Sequence, residues 1–116
     1  MRESIIEQYL VDRVIALGGE VRKVKWIGRR GAPDRLVMLP KEATKLHRLN
    51  ADNKYVETIE HIRPSFCTWV ELKAPGEKPK PHQAREHERM RAMGQCVVVI
   101  DSIEGVDRLV GLRDGR

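Results

Sequence analysis

The chain has 116 residues, 41% of them apolar, with 22 Lys and Arg against 17 Asp and Glu and a formal net charge of +5. That length suits one domain over 1–116 with one core, and the mixed charge excludes a disordered, solvating chain. The longest apolar runs, such as Val97-Val98-Val99-Ile100, are strand-length, far short of the roughly 20 residues of a membrane span. The first residues, Met1-Arg2-Glu3-Ser4-Ile5-Ile6-Glu7, carry acids where a secretory signal would be apolar, so a soluble cytoplasmic protein with no membrane partner is expected.

Residues 3–17 read as an amphipathic helix, with Ile5, Ile6, Tyr9, Leu10, Val14 and Leu17 at three- and four-residue spacing and Gly18-Gly19 as its stop. Residues 20–27 alternate charged and apolar like a strand with one solvated face. The loop Gly28-Arg29-Arg30-Gly31-Ala32-Pro33 leads into a short apolar strand, Asp34 to Leu39, which Pro40 closes. Residues 41–65 read as an insertion: Lys41 to Asn53 as a short helix or a loop, Lys54 to Glu60 as an exposed strand. Phe66 to Lys73 is the clearest central strand, followed by a Pro/Gly/Lys-rich loop over 74–81. His82 to Met93 reads as a helix with Ala84, His87, Met90 and Met93 along one side. Gln95 to Asp101 reads as a buried strand and Ile103 to Leu112 as a last helix. The order α-β-β-(insertion)-β-α-β-α predicts an α/β fold, a mixed sheet flanked by helices. Cys67 and Cys96, both in apolar strand-like segments, are expected as buried reduced thiols, without the spacing of a zinc site.

The chemistry gathers at Asp34 and Glu71-Leu72-Lys73. Side chains alternate faces along a strand, so Glu71 and Lys73 share a face while Leu72 points into the opposite layer. If the strand begun by Asp34 pairs alongside, two carboxylates meet an ammonium at the end of a central strand. Carboxylates so placed form a hard-oxygen site for Mg²⁺ or Mn²⁺, to which the Leu72 backbone carbonyl could add a ligand. Such a cation neutralises charge developing on a phosphodiester and eases ionisation of bound water, while Lys73 would orient that water or hold phosphate. The bland alternative is an edge-strand salt bridge. Glu7 on the first helix is a candidate third acid, with Glu3 one turn earlier on the same face. Gln83, at the start of the second helix, could hold water or backbone oxygen in the site. Basic residues flank these acids: Lys23, Arg29, Arg30 and Arg35 in one stretch, Lys78 and Lys80 in another. They suit a polyanionic partner, DNA first, gripped through backbone phosphates.

At these residues the sequence resembles the PD-(D/E)xK nuclease superfamily, and more closely its VRR-NUC branch. The resemblance lies in Gly18-Gly19, Lys23, Gly31-Ala32-Pro33-Asp34-Arg35-Leu36-Val37, Trp69 to Gly76, His82-Gln83 and Gly94 to Val99. It implies a restriction-endonuclease-like αβββαβ core and Mg²⁺- or Mn²⁺-dependent hydrolysis of DNA phosphodiesters. It assigns metal binding to Asp34 and Glu71, with Glu7 preferred over Glu3 as a further ligand, catalysis to Lys73 and support to Gln83. Stand-alone members, from phages and bacteria, look like homodimeric resolvases of four-way junctions. A homodimer acting on branched DNA in the cytoplasm of a bacterial or phage-infected cell is therefore expected. The competing readings are a catalytically inactive nucleic-acid-binding module and a sequence-specific restriction-type endonuclease.

Overall fold

The structure, a computed structural model, describes residues 1–114, and their side chains except at 43–46, 59–61 and 112–114. In chain order the elements are α1 (Glu3–Ala16), β1 (Glu20–Lys23), β2 (Arg35–Leu39), β3 (Glu42–Leu49), β4 (Tyr55–Arg63), β5 (Phe66–Leu72), α2 (Pro81–Ala92), β6 (Val97–Ile100) and α3 (Ile103–Asp114). Four strands form a mixed sheet in the order β1-β2-β5-β6; only the β5–β6 pair is parallel, joined through α2. This is the α/β architecture expected. Among the described residues, no helix is long and apolar enough to cross a membrane.

α1 forms because Ile6, Leu10 and Val14 recur every fourth residue, and all three are fully buried. Its end is a Schellman turn: Gly18 (φ 81°) donates to the Ile15 carbonyl and Gly19 to that of Val14. A Cβ on Gly19 would run into the Met38 carbonyl, so this turn lies directly on β2.

Alternation along β2 and β5 divides the sheet into two faces. Val37 and Leu39 of β2 and Val70 and Leu72 of β5 join Ile6, Leu10 and Val14, Ile100 of β6 and Val106 and Leu109 of α3 in one apolar core. α1 and α3 cover this face, tied further by Tyr9 Oη and Arg13 Nη1, which donate to Asp107 Oδ1 at 2.5 and 2.8 Å. The odd-numbered residues of β5 face α2 instead.

Residues 41–65, expected as an insertion with a short helix or loop and then an exposed strand, hold two strands; the strand over 54–60 is found as β4, and β3 takes the place of the helix or loop. β3 and β4 pair as an antiparallel ribbon closed by a turn in which Asn50 Oδ1 accepts from the Asp52 and Lys54 N–H groups at 3.0 Å. Leu39 pairs with Phe66, and Glu42 pairs with Arg63. The register is thus common to both segments, and the ribbon prolongs the β2–β5 hairpin. Pro40 and Pro64, which cannot donate to a ladder, divide the hairpin into two sheets. The ladder shifts once more, between Thr44 and Lys45.

Other expectations were trimmed. β1 ends at Lys23, not Ile27, because the chain leaves β2 to form the glycine-rich loop. The last strand shortens from 95–101 to Val97–Ile100. On α2, Ala84 and Met93 are exposed, while Glu86, His87 and Met90 face inward. Both cysteines are free, but exposed rather than buried. Cys67 lies on the α2-facing side of β5, at the end of the strand away from Glu71.

Candidate active site

The β2–β5 register carries the first two site residues. One step beyond the Arg35–Val70 pair it sets Asp34 across from Glu71. Asp34 is still anchored to the neighbouring segment, its carbonyl accepting from Val24 N–H at 2.9 Å. Asp34 was expected within a central strand; it instead precedes β2, with 58% of its side chain exposed. Glu71 is 8% exposed. Burial pushes its carboxyl up to about 7; the positive charge of Lys73 opposes this, and the negative charges of Asp34 and Glu3 add to it.

Lys73 continues beyond β5, its N–H donating to the Ile100 carbonyl at 2.9 Å. Its ammonium reaches α2, where Nζ donates to Gln83 Oε1 at 2.9 Å. The same oxygen accepts the Lys80 backbone N–H at 2.8 Å, capping the helix that Pro81 opens. Gln83 is therefore a link between the helix start and Lys73 rather than a surface residue.

Arg35 differs most from its expected role. It was placed among the phosphate contacts, but it is 8% exposed, on the α1 side of β2. Its Nη1 binds Asp34 Oδ1 at 2.9 Å and its Nη2 binds Glu7 Oε2 at 3.0 Å. Burial works against its charge, but these two carboxylates outweigh burial and raise its pKa. Glu7 is thus joined to the site through Arg35. Of the two helix glutamates, Glu3 is the one whose charge bears on Glu71. Among the described residues, no three His, Cys, Asp or Glu side chains converge as a preformed metal cluster.

No model of a known protein family matches the chain. It is 42% identical over 102 residues to a protein of Acyrthosiphon pisum secondary endosymbiont phage 1 named "Putative nuclease p44", covering 88% of this chain and 85% of that one. It also resembles a solved VRR-NUC domain with a TM-score of 0.65 and 37% identity, covering 94% of each chain. The chain belongs to the VRR-NUC nuclease family.

Around the acids the VRR-NUC chain adds residues that the sequence reading passed over. His87 is 1% exposed, and its Nε2 lies 3.4 Å from Glu71 Oε1 without hydrogen-bond geometry. Burial, then Arg91 and Lys73, lower its pKa, against the opposing charges of Glu86 and Glu88. Glu86 is 2% exposed and accepts from Arg29 Nε at 2.8 Å and Arg89 Nε at 2.9 Å. Burial alone would raise its pKa, but the two arginines outweigh burial and hold it below the usual carboxylate range. Periodicity sets His87 with Met90 along one side of the helix without giving it a role, and the spacing Gln83, Glu86, Met90 could have flagged Glu86 as well.

The VRR-NUC loop 28–33 is pinned against the start of α2. Gly31 has φ 85°, and a Cβ there would lie 2.9 Å from the His82 carbonyl. Beside it, Trp26 Nε1 donates to the Pro33 carbonyl at 2.8 Å, and its ring packs against Trp69 at 5.0 Å. Between loop and strand, a cleft of about 490 Å³ is lined by Lys23, Lys25, Trp26, Arg29 and, at its Asp34 end, Arg35. Of the other expected phosphate contacts, Arg30, Lys78 and Lys80 are exposed. Slight desolvation and then Arg30, Lys80, Arg85 and Lys73 lower the pKa of His82, a sign of the positive field around the helix start.

Proposed function

We propose that this VRR-NUC protein is a Mg²⁺- or Mn²⁺-dependent, structure-selective DNA endonuclease that acts as a homodimer on branched DNA, four-way junctions foremost. The observation that carries this reading is the buried Glu71, pushed up to about 7 beside Asp34 on the face that also presents Lys73. Burying an ionised carboxyl is costly unless positive charge opposes it, and a divalent cation held by Asp34 and Glu71 would supply that charge. The donor set fits a hard divalent ion: two carboxylates facing each other in register, the Leu72 carbonyl next along the chain, and an exposed Asp34 that leaves room for the waters such ions retain.

Asp34 and Glu71 would hold that ion, which when bound would neutralise charge on the phosphodiester and make water a better nucleophile. Lys73, fixed by Gln83, is placed to orient the attacking water or a phosphate oxygen. Arg35 holds Asp34 in position and is itself held by Glu7, so Glu7 acts through Arg35; Glu3, whose charge bears on Glu71, would be an outer acid. Arg29, Arg30, Lys78 and Lys80 would grip backbone phosphates, which favours shape over sequence. Two sites related by a two-fold axis would match the two symmetric cuts of a junction.

The test is a panel of junction, flap, single-stranded and linear duplex DNA with Mg²⁺ or Mn²⁺, alongside a solution mass. Divalent-dependent cleavage lost in Glu71→Ala, with DNA binding retained, is the expected result. Cleavage unaffected by that change would overturn the site, and a monomer cutting only linear duplex would overturn the junction and dimer reading.

A further inference from the structure

We propose that the cleft beside Asp34 binds a single unstacked nucleotide of the strand being cut, its base against Trp26 and its phosphate between Lys25 and Arg29. This deepens the nuclease reading and rests on it. The cleft's volume of about 490 Å³ lies in the range of small-molecule sites. Its lining combines one large aromatic ring with four cations, and its acid, Asp34, is already paired with one of them, Arg35. A flat apolar surface beside positive charge selects a ligand that is flat at one end and anionic at the other. A nucleotide has that chemistry.

The walls are fixed before any ligand arrives. Trp26 is held by Pro33 and Trp69. Arg29 is tethered through Nε to the buried Glu86 yet remains 53% exposed, which leaves the rest of its guanidinium to the cleft. Gly31 keeps the loop against α2, since no side chain would fit there. Binding therefore needs little ordering of the protein. In an uninterrupted duplex both faces of every base are stacked, so Trp26 could meet only a base already released, as at a branch point, flap or gap. The cleft would thus select such substrates and place the released nucleotide next to Asp34.

The experiment measures binding in EDTA, so that it is independent of cleavage. Flap DNAs carrying one abasic nucleotide at successive positions along each strand near the branch are titrated by anisotropy. Wild type is expected to lose about tenfold in affinity at one position and little elsewhere. Trp26→Phe should keep that pattern, and Trp26→Leu should flatten it, with thermal unfolding used to confirm that both fold. Should Trp26→Leu not fold, 2-aminopurine scanned along the wild-type complex decides instead: quenching confined to one position supports the cleft. Equal affinity at every abasic position, position-dependent loss persisting in Trp26→Leu, or uniform quenching would overturn it. Those outcomes leave the nuclease reading standing, because that reading is tested separately, by divalent-dependent cleavage in wild type and in Glu71→Ala.

Discussion

The two faces of the central sheet are made by the same strands and do opposite work. On the α1/α3 side, Val37, Leu39, Val70 and Leu72 meet helices that contribute only apolar groups to the core. On the α2 side, neighbours of those residues in sequence, Glu71 and Lys73, meet His87 and Gln83. β5 changes character every residue because its pleat sends successive side chains to opposite layers. The apolar face holds the fold together, which leaves the other face free to bury a carboxyl at a cost. Arg35 is the exception: a cation on the core side of β2 that reaches around the strand end to bind Asp34.

This division predicts that adjacent substitutions separate activity from stability. Lys73→Met should lower the single-turnover cleavage rate by roughly 10²–10⁴-fold, the usual worth of a group that handles protons or positions water. Its melting temperature should stay within a few degrees of wild type, and DNA affinity should change little. Leu72→Ala, one residue earlier, should cost about 2–5 kcal/mol in denaturant unfolding, because it leaves a hole in the core. The rate of its folded fraction should remain within a few-fold of wild type. A Leu72→Ala protein that is stable but inactive, or a Lys73→Met protein that is active but unstable, would erase the distinction between the faces.

Much of this was legible in the sequence, for reasons that are local. The four-residue spacing of Ile6, Leu10 and Val14 and the two-residue spacing of Glu71 and Lys73 each specify an element and a face without further context. What was not legible depends on partners far along the chain. Burial of Glu86 makes sense only with Arg29, 57 residues earlier. The β3–β4 ribbon follows from the β2–β5 register, which no local pattern in 41–53 reveals. Arg35 read as a surface cation because its partner Glu7 lies 28 residues away. The cysteines read as buried because the segments that hold them, Phe66 to Leu72 and Cys96 to Ile100, are largely apolar. Cys67 is in fact exposed, on the side of β5 that α2 would have to cover.

A smaller effect tests how the reactive face is shaped. Gly31→Ala should destabilise by about 2 kcal/mol, since a left-handed backbone costs an L-residue roughly 1–2 kcal/mol and the added Cβ crowds the His82 carbonyl. Cleavage should fall more than the stability change explains, because the loop carries Arg29 and precedes Asp34. Gly28→Ala is the control, with φ 74° but open space around its Cβ. Equal cleavage rates in the two variants would mean that contact between the loop and α2 does not shape the site.

The smallest effect isolates Glu71 as the group held against its preference. Its carboxyl titrates near the ordinary 4.5 in the unfolded chain and at about 7 in the folded one. Between those values the folded state keeps a proton that the unfolded state has released. Its contribution to stability is therefore fully present below about 4.5 and is lost as pH rises through about 7. Glu71→Gln, neutral throughout, lacks this loss. In EDTA the variant should gain on wild type as pH rises across that window, by about 1–2 kcal/mol after allowance for partial solvation, and stay level above it. Millimolar Mg²⁺ should abolish the gain at pH 8, because a cation at Asp34 and Glu71 stabilises the ionised wild type and does little for the amide. Unfolding curves of the two proteins that run parallel from pH 4 to 8 would show that Glu71 ionises in the folded chain as freely as in water, and would remove the electrostatic reason for a metal there.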